Sequence, residues 1–306
     1  MANRVRRISR KKAKHKLTTI GLAFIVYILF VLIVPHALKM FLEIYDPIFV
    51  SDEYLYIGIY LIVLVFGSFI PFIMLKSITK IKNNRIFGKV NATFVDLFVQ
   101  AIVCIATCTA LTYVSNMLLN SFGFQSQLIS SIGLNYQEAY LENYLYIFML
   151  VVVTPIIEEF VFRGVLLNCL GEFGKVFSLY TSAILFALCH SSIGEILPAF
   201  AMGVILGKVS FRYKSIQPTT FIHILFNLFI YGLCVLPESI SSYMAYGIAG
   251  ICVLALYLVL TGHYRSVKMA KSSFTPTSFN LFFTRPTTII SLLLLIVNLF
   301  IKAYLK

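Results

Sequence analysis

Charged side chains are scarce in this chain, and their scarcity decides its class. Only 12% of the 306 residues are charged, whereas 59% are hydrophobic, and the mean hydropathy is +0.91. Soluble globular domains carry about 25% charged residues. The composition therefore excludes an ordinary soluble protein and predicts an integral membrane protein.

Several motifs are also missing. The six cysteines form no C-x-x-C pair and lie in or beside apolar tracts, which favours small buried side chains over a disulfide framework. No H-E-x-x-H sequence is present, so the helical zinc motif of many metalloproteases is absent. The chain has 25 Lys and Arg against 12 Asp and Glu, yet no basic face with readout elements is visible. The sequence therefore predicts no nucleic-acid partner.

Apolar tracts of membrane-spanning length recur along the chain. A helix needs about 20 apolar residues to cross a bilayer, and helices satisfy their backbone polar groups without water. The sequence predicts an all-α polytopic transmembrane helical bundle with about eight or nine spans, forming one integral membrane domain over residues 1–306. The predicted tracts are 17–35, 54–75, 94–119, 144–170, 177–190, 196–209, 216–235, 244–261 and 287–304.

The positive charges predict the orientation in the membrane. Residues 1–16 form a basic tail, and further Lys and Arg follow the second, fourth, sixth and eighth tracts. The opposite loops carry most of the acidic residues. Because Lys and Arg concentrate in cytoplasmic loops, we expect a multi-pass protein of the cell membrane with a cytoplasmic N-terminus. The first apolar run is too long for a signal peptide, so we expect it to be retained.

Three charged residues lie inside the fourth tract. Glu158, Glu159 and Arg163 occupy positions where each charge costs roughly 2.5–3.5 kcal/mol on insertion scales. Glu159 and Arg163 are four residues apart, so they share a helix face and can pair. Glu158 points about 100° away and has no cation at helical spacing. Pro155 removes one helical hydrogen bond just upstream, which predicts a kink. The spacing predicts a structural Glu159–Arg163 pair and a chemical role for Glu158.

Two further tracts contribute polar side chains. His190 ends the fifth tract, and His223 lies four residues before Asn227 in the seventh. His223 and Asn227 therefore share one helix face and can offer two hydrogen-bond donors to one point. A carboxylate, a separate histidine and a donor pair suit hydrolysis by an activated water, since a base must take a proton and donors must meet the developing oxyanion.

The sequence 158–164, EEFVFRG, resembles the E-E-x-x-F-R-G signature of the CAAX protease and bacteriocin-processing family, also called the Abi family. Residues 186–190, FALCH, resemble the family's F-x-x-x-H element, and residues 223–227, HILFN, its H-x-x-x-N/D element. All three occur in the family's order within residues 144–235. The resemblance predicts a CAAX-protease-like core at 144–235.

The resemblance implies an intramembrane endopeptidase. Glu158 and His190 would activate the attacking water, and His223 and Asn227 would form the oxyanion hole. Glu159 and Arg163 would support the site. The expected substrate is a membrane-embedded peptide or a lipidated protein, cleaved in CAAX-type processing, peptide maturation or bacteriocin self-immunity. No cofactor is expected.

Three alternatives stay open at this point. Glu158, His190 and His223 are also residue types that bind zinc, with water as fourth ligand. The chain can instead be a membrane immunity or regulatory protein that uses the fold without cleaving anything. Intramembrane carboxylates and histidines also relay protons in transporters, although no inverted repeat is visible. The absence of Trp and the abundance of Ile, Lys, Phe, Asn and Tyr point to an AT-rich bacterial genome.

Overall fold

The computed structural model describes residues 10–45, 53–123, 141–190, 192–234, 238–264 and 276–304. Residues 1–9 of the predicted basic tail lie outside these ranges. The described residues are overwhelmingly helical, and the chain is an all-α bundle, as predicted. The α-helices are α1 Arg10–Ile28, α2 Val34–Tyr45, α3 Glu53–Ile78, α4 Phe94–Ser121, α5 Leu141–Phe148, α6 Thr154–Glu158, α7 Leu167–Leu170, α8 Lys175–Leu188, α9 Ile193–Tyr213, α10 Gln217–Cys234, α11 Glu238–Leu260, α12 Pro276–Phe283 and α13 Pro286–Tyr304.

Two of the long helices contain π turns. Leu29–Ile33 joins α1 to α2, so residues 10–45 form one continuous helix. Met149–Val153 and Glu159–Leu166 join α5, α6 and α7 into a second continuous helix, residues 141–170, which we call the motif helix. Short π segments inside α-helices frequently occur at functional sites.

Four helices in the described part of the chain are long and apolar enough to cross a membrane: Lys11–Val31, Leu61–Ile78, Phe94–Ser121 and Ile193–Tyr213. Three shorter apolar helices, Lys175–Leu188, Ala245–Leu260 and Pro286–Phe300, accompany them. All nine predicted tracts coincide with helical segments, but whether each one spans the bilayer stays a prediction.

The core of the bundle surrounds the motif helix. Phe24 and Tyr27 of α1 and Phe72 of α3 pack edge-on or tilted against one another, with ring centroids 5.6–6.4 Å apart. Phe162 of the motif helix closes this group, at 6.1 Å from Phe24 and 6.2 Å from Tyr27. Offset and edge-to-face aromatic contacts of this kind add to the area that they bury. The N-terminal helices therefore hold the motif helix from one side.

Helices α8 and α9 pack closely through small residues. A Cβ added at Gly203 would lie 2.8 Å from the Ala183 side chain and 2.9 Å from its Cα. A Cβ added at Gly207 would clash with the Leu179 side chain. The two glycines form the G-x-x-x-G spacing that allows close helix contact in membranes.

Four segments predicted to be cytoplasmic make contacts with one another in two pairs. The loop after α3 pairs with the loop after α9, through the Ile216 N–H donating to the Ile86 carbonyl at 2.9 Å and a bridge between Phe87 and Ser215. Lys16, near the start of α1, forms an ion pair of 2.7 Å with Glu172, which follows the motif helix. The predicted orientation requires these segments to lie on the same side of the membrane, and the orientation itself stays a prediction.

The polar, proline-containing composition of residues 272–286 predicts a loop between the last two helices, but Pro276–Phe283 is a helix. Residues 272–275 lie outside the described residues. Proline is favoured in the first helical turn, and Phe279 and Phe282 pack against Phe177 at 4.9 and 6.0 Å, so tertiary contacts outweigh the polar composition. The first helix continues beyond the end of the first apolar tract, Pro35, to Tyr45, and the π turn Leu29–Ile33 lies just before that proline.

Candidate active site

The Glu159–Arg163 pair lies at the centre of the motif helix. The Arg163 guanidinium donates from Nη1 to Glu159 Oε1 at 2.6 Å, and both side chains are almost completely buried. The pair expected from the four-residue spacing is therefore present. Removing one partner of such a pair leaves an uncompensated buried charge, which is strongly destabilising.

His223 connects α10 to both glutamates. Its Nδ1 lies 3.0 Å from Glu159 Oε1, and its Nε2 lies 3.6 Å from Glu158 Oε2. The first distance is a hydrogen bond, whereas the second is longer than one and lies within ion-pair range. The Glu159 carboxylate, which is paired with Arg163, has no hydrogen to donate, so it accepts the hydrogen bond from His223 and Nδ1 carries the hydrogen. The tautomer of His223 is thereby fixed, and Nε2 is the nitrogen that faces Glu158.

His190 follows the C-terminus of α8. Its Nδ1 lies 3.0 Å from the Phe186 carbonyl, which only accepts, so Nδ1 donates and Nε2 is the remaining nitrogen. Within the described residues, neither a hydrogen bond nor an ion pair joins His190 to Glu158. The structure thus brings Glu158 and His223 together, and places His190 beside them without direct contact.

Phe186 links the separate parts of this site. Its ring lies under the Arg163 guanidinium, 4.3 Å from Cζ to the ring centroid. It also meets the His190 ring at 4.9 Å and the His223 ring at 5.9 Å, both edge-on. Phe186 was part of the F-x-x-x-H element but was not predicted as a site residue. The F-x-x-x-H element marked Phe186 in the sequence, but residue spacing did not show that its ring would contact Arg163, His190 and His223.

Asn227 binds the main chain of the motif helix. Its Nδ2 donates to the Leu150 carbonyl at 2.9 Å, across 77 residues of sequence. A carbonyl accepts only, so the amide nitrogen must be the atom that faces Leu150. One of the two amide hydrogens is used in this way, and the second is a donor that a substrate carbonyl can approach.

A zinc ion needs several ligands converging on one point. Among the described residues, no group of three or more His, Cys, Asp or Glu side chains lies close enough to hold a metal. The nearest approach, Glu158 to His223, is 3.6 Å, and the other His223 nitrogen is occupied by Glu159. As placed, Glu158, His190 and His223 do not fit a zinc site.

An apolar cavity of about 370 Å³ opens between α8 and α9. Ala187 and Leu188, which immediately precede Cys189 and His190, line one wall, and Ile196 and Phe200 line another. A hydrocarbon-lined space thus lies next to the segment that carries His190.

Residues 140–229 match the family model described as type II CAAX prenyl endopeptidase Rce1-like. This part of the chain is therefore similar to type II CAAX prenyl endopeptidases. This match includes all six predicted site residues, although it does not test their roles. Comparisons with curated proteins and with solved structures gave no match. The match supports an intramembrane endopeptidase at the level of the family, and the four long apolar helices agree with a membrane location.

Proposed function

We propose that the protein hydrolyses peptide bonds of membrane-embedded or lipidated substrates with a water molecule activated by Glu158. The observation that carries this proposal is the contact between Glu158 and His223, 3.6 Å apart, with His223 held from behind by the Glu159–Arg163 pair. The match to the Rce1-like family model indicates peptide-bond hydrolysis as the reaction. The geometry supports the roles assigned to Glu158 and His223.

The charges of the neighbouring side chains favour a proton on His223. Glu158, Glu159 and Arg163 together carry a net charge of −1, and burial of net charge is costly. A protonated His223 makes the group neutral, with Nδ1–H directed to Glu159 and Nε2–H directed to the Glu158 side. Only in that form can Nε2 donate to an oxyanion.

The proposed reaction follows from these positions. A water beside Glu158 attacks the carbonyl carbon of the scissile bond, while Glu158 takes one water proton as general base. The carbonyl oxygen becomes an oxyanion, which accepts hydrogen bonds from Asn227 Nδ2 and His223 Nε2. The proton on Glu158 then passes to the leaving amine as the C–N bond breaks. His190, through Nε2, orients the water.

The substrate class follows from the surroundings of the site. The cavity next to His190 is lined by hydrocarbon, which suits an apolar side chain or a lipid-like group of the substrate. Substrates therefore come from the membrane: the C-terminus of a lipidated protein, or a peptide precursor embedded in the bilayer. In a bacterial cell, peptide maturation or self-immunity is the corresponding biological role.

Glu158→Gln tests the proposal, because an amide keeps the shape of the side chain but cannot act as a base. Purified, detergent-solubilised wild type and variant are incubated with a prenylated CAAX peptide and with an unmodified transmembrane peptide. Loss of cleavage of whichever peptide the wild type cuts, with an unchanged melting temperature, is expected. Glu172→Gln is the matched control, since Glu172 pairs with Lys16 outside the site. Undiminished cleavage by Glu158→Gln would remove the proposal.

Two further measurements separate the alternatives. If a chelator abolishes cleavage and added zinc restores it, the metal-free mechanism is wrong. Cells that carry Glu158→Gln in place of the wild type should also accumulate uncleaved membrane peptides, seen by comparing peptide termini in the two membranes. Full cellular function of Glu158→Gln, His190→Ala and His223→Ala proteins would instead favour a non-catalytic immunity or regulatory protein.

A further inference from the structure

A carbonyl in the motif helix lacks its main-chain donor. In the π turn Met149–Val153, the Thr154 N–H donates to the Met149 carbonyl, five residues back. In this register the donor for the Leu150 carbonyl is the N–H of residue 155. Residue 155 is proline, which has no N–H. The Leu150 carbonyl is therefore left as a backbone acceptor inside the bundle, where an unpaired polar group is costly.

Asn227 supplies the missing donor. Its Nδ2 lies 2.9 Å from the Leu150 oxygen, and it is the partner that the described residues provide for that carbonyl from outside the motif helix. The contact fixes the plane of the amide, because one hydrogen must point at Leu150. With that plane fixed, the second hydrogen of Nδ2 has a defined direction on the helix face that Asn227 shares with His223.

We propose that Pro155 is a positioning residue. Because proline has no N–H, the Leu150 carbonyl stays available to accept a hydrogen bond from Asn227, and this bond orients the Asn227 amide. The role of Asn227 as oxyanion donor rests on the proposed function, whereas the competition for the Leu150 carbonyl does not. An alanine at position 155 restores the N–H, which then satisfies Leu150 from within the helix. Asn227 loses its anchor, and its amide becomes free to rotate.

The same backbone arrangement occurs in the first helix and provides a control. There the π turn Leu29–Ile33 is followed by Val34, whose N–H donates to the Leu29 carbonyl, and then by Pro35. Pro35→Ala therefore makes the same change of backbone chemistry in a helix that carries no site residue. Any effect common to Pro35→Ala and Pro155→Ala belongs to the helix and not to Asn227.

Kinetics of the purified protein test the positioning role. Removal of one oxyanion donor lowers kcat by roughly 10²–10³-fold, so a misdirected donor in Pro155→Ala should lower kcat by at least about tenfold with little change in KM. In an Asn227→Ala background, Pro155→Ala should lower kcat no further, because both changes remove the same donor. Normal kcat in Pro155→Ala, or an equal loss with and without Asn227, would contradict the proposal.

Thermal stability tests it without any substrate. Asn227→Ala leaves the Leu150 carbonyl unsatisfied and should lower the melting temperature in detergent, by roughly 2–4 °C. Adding Pro155→Ala should recover that loss, since the new N–H pairs with Leu150, whereas adding Pro35→Ala should not. A double variant no more stable than Asn227→Ala would overturn the inference, even if the protein cleaves substrate as proposed. If Pro155→Ala restores stability but the wild-type protein cleaves no substrate, the competition for the Leu150 carbonyl is supported and the proposed function is rejected.

Discussion

The guanidinium of Arg163 lies 4.3 Å above the ring of Phe186, and the same ring touches both histidines of the site. A cation placed over an aromatic face is attracted by the ring quadrupole, more strongly where water is excluded. Phe186 is 1% exposed, so this contact lies away from solvent. One aromatic side chain thus sets the relative positions of the supporting ion pair and of the proposed catalytic groups.

Phe186→Leu should lower activity more than stability. Leucine fills much of the space but offers neither the ring face to Arg163 nor the edge contacts to His190 and His223. We expect kcat to fall by roughly ten- to hundredfold, because small misplacements of catalytic groups are costly. Phe177→Leu is the control, since Phe177 is a buried phenylalanine of the same helix that packs on α12. Equal kinetics of the two variants would refute this role.

Arg163→Ala should act through stability. It strands the buried Glu159 carboxylate, and broken buried pairs cost about 3–5 kcal/mol. We expect poor accumulation in membranes and a lower melting temperature. Combining Arg163→Met with Glu159→Gln removes both charges and should accumulate better than Arg163→Ala. Normal accumulation of Arg163→Ala would show that the pair does not support the fold.

Asn227→Asp should make the activity of the protein depend on whether the new side chain at position 227 is protonated. A carboxylate cannot donate to the Leu150 carbonyl or to an oxyanion, whereas a carboxylic acid can donate one hydrogen. Activity of the variant relative to wild type should therefore rise as the pH falls from 8 towards 5. A constant ratio across that range would exclude hydrogen donation by residue 227 as a requirement.

Gly203→Ala should push apart α8 and α9, the two helices that flank His190. The new Cβ would lie 2.9 Å from the Ala183 Cα, and backbone at that distance must move. Overpacking of this kind costs roughly 1–3 kcal/mol, so we expect a lower melting temperature and reduced activity. Gly250→Ala is the matched control, because nothing lies within 4 Å of a Cβ added to that helical glycine. Equal melting temperatures of the two variants would mean that α8 and α9 tolerate separation.

The predicted orientation can be measured with engineered cysteines. Asn84→Cys lies in the loop after α3 and Glu142→Cys near the start of α5, on opposite sides by the charge distribution. In intact cells an impermeant maleimide should label the cysteine at 142 and not that at 84. Inside-out vesicles should give the opposite result, and labelling of 84 from outside would reverse the topology.

Local patterns predicted the helices and the Glu159–Arg163 pair, because both depend on the spacing of residues along one helix. The contact of His223 with Glu159 joins residues 64 apart in sequence, and no periodicity shows such a partner. The π turns were also invisible, since the same residues fit an α-helical pattern. Pro155 did mark a departure from regular hydrogen bonding. No pattern in the sequence indicated, however, that Asn227 would bind the Leu150 carbonyl, which that proline leaves without a main-chain donor.

Gly164 ends the EEFVFRG sequence, and its lack of a side chain has a consequence for the supply of water. A Cβ there would lie 3.1 Å from Ile86, which is fully buried in the loop after α3. Beyond Glu159 the motif helix is buried through Leu167, whereas Val152, Val153 and Thr154 are half-exposed. Ile86 therefore packs against the motif helix at the end of the bundle that is predicted to be cytoplasmic, and we expect water to reach Glu158 from the other end, where residues 152–154 are half-exposed.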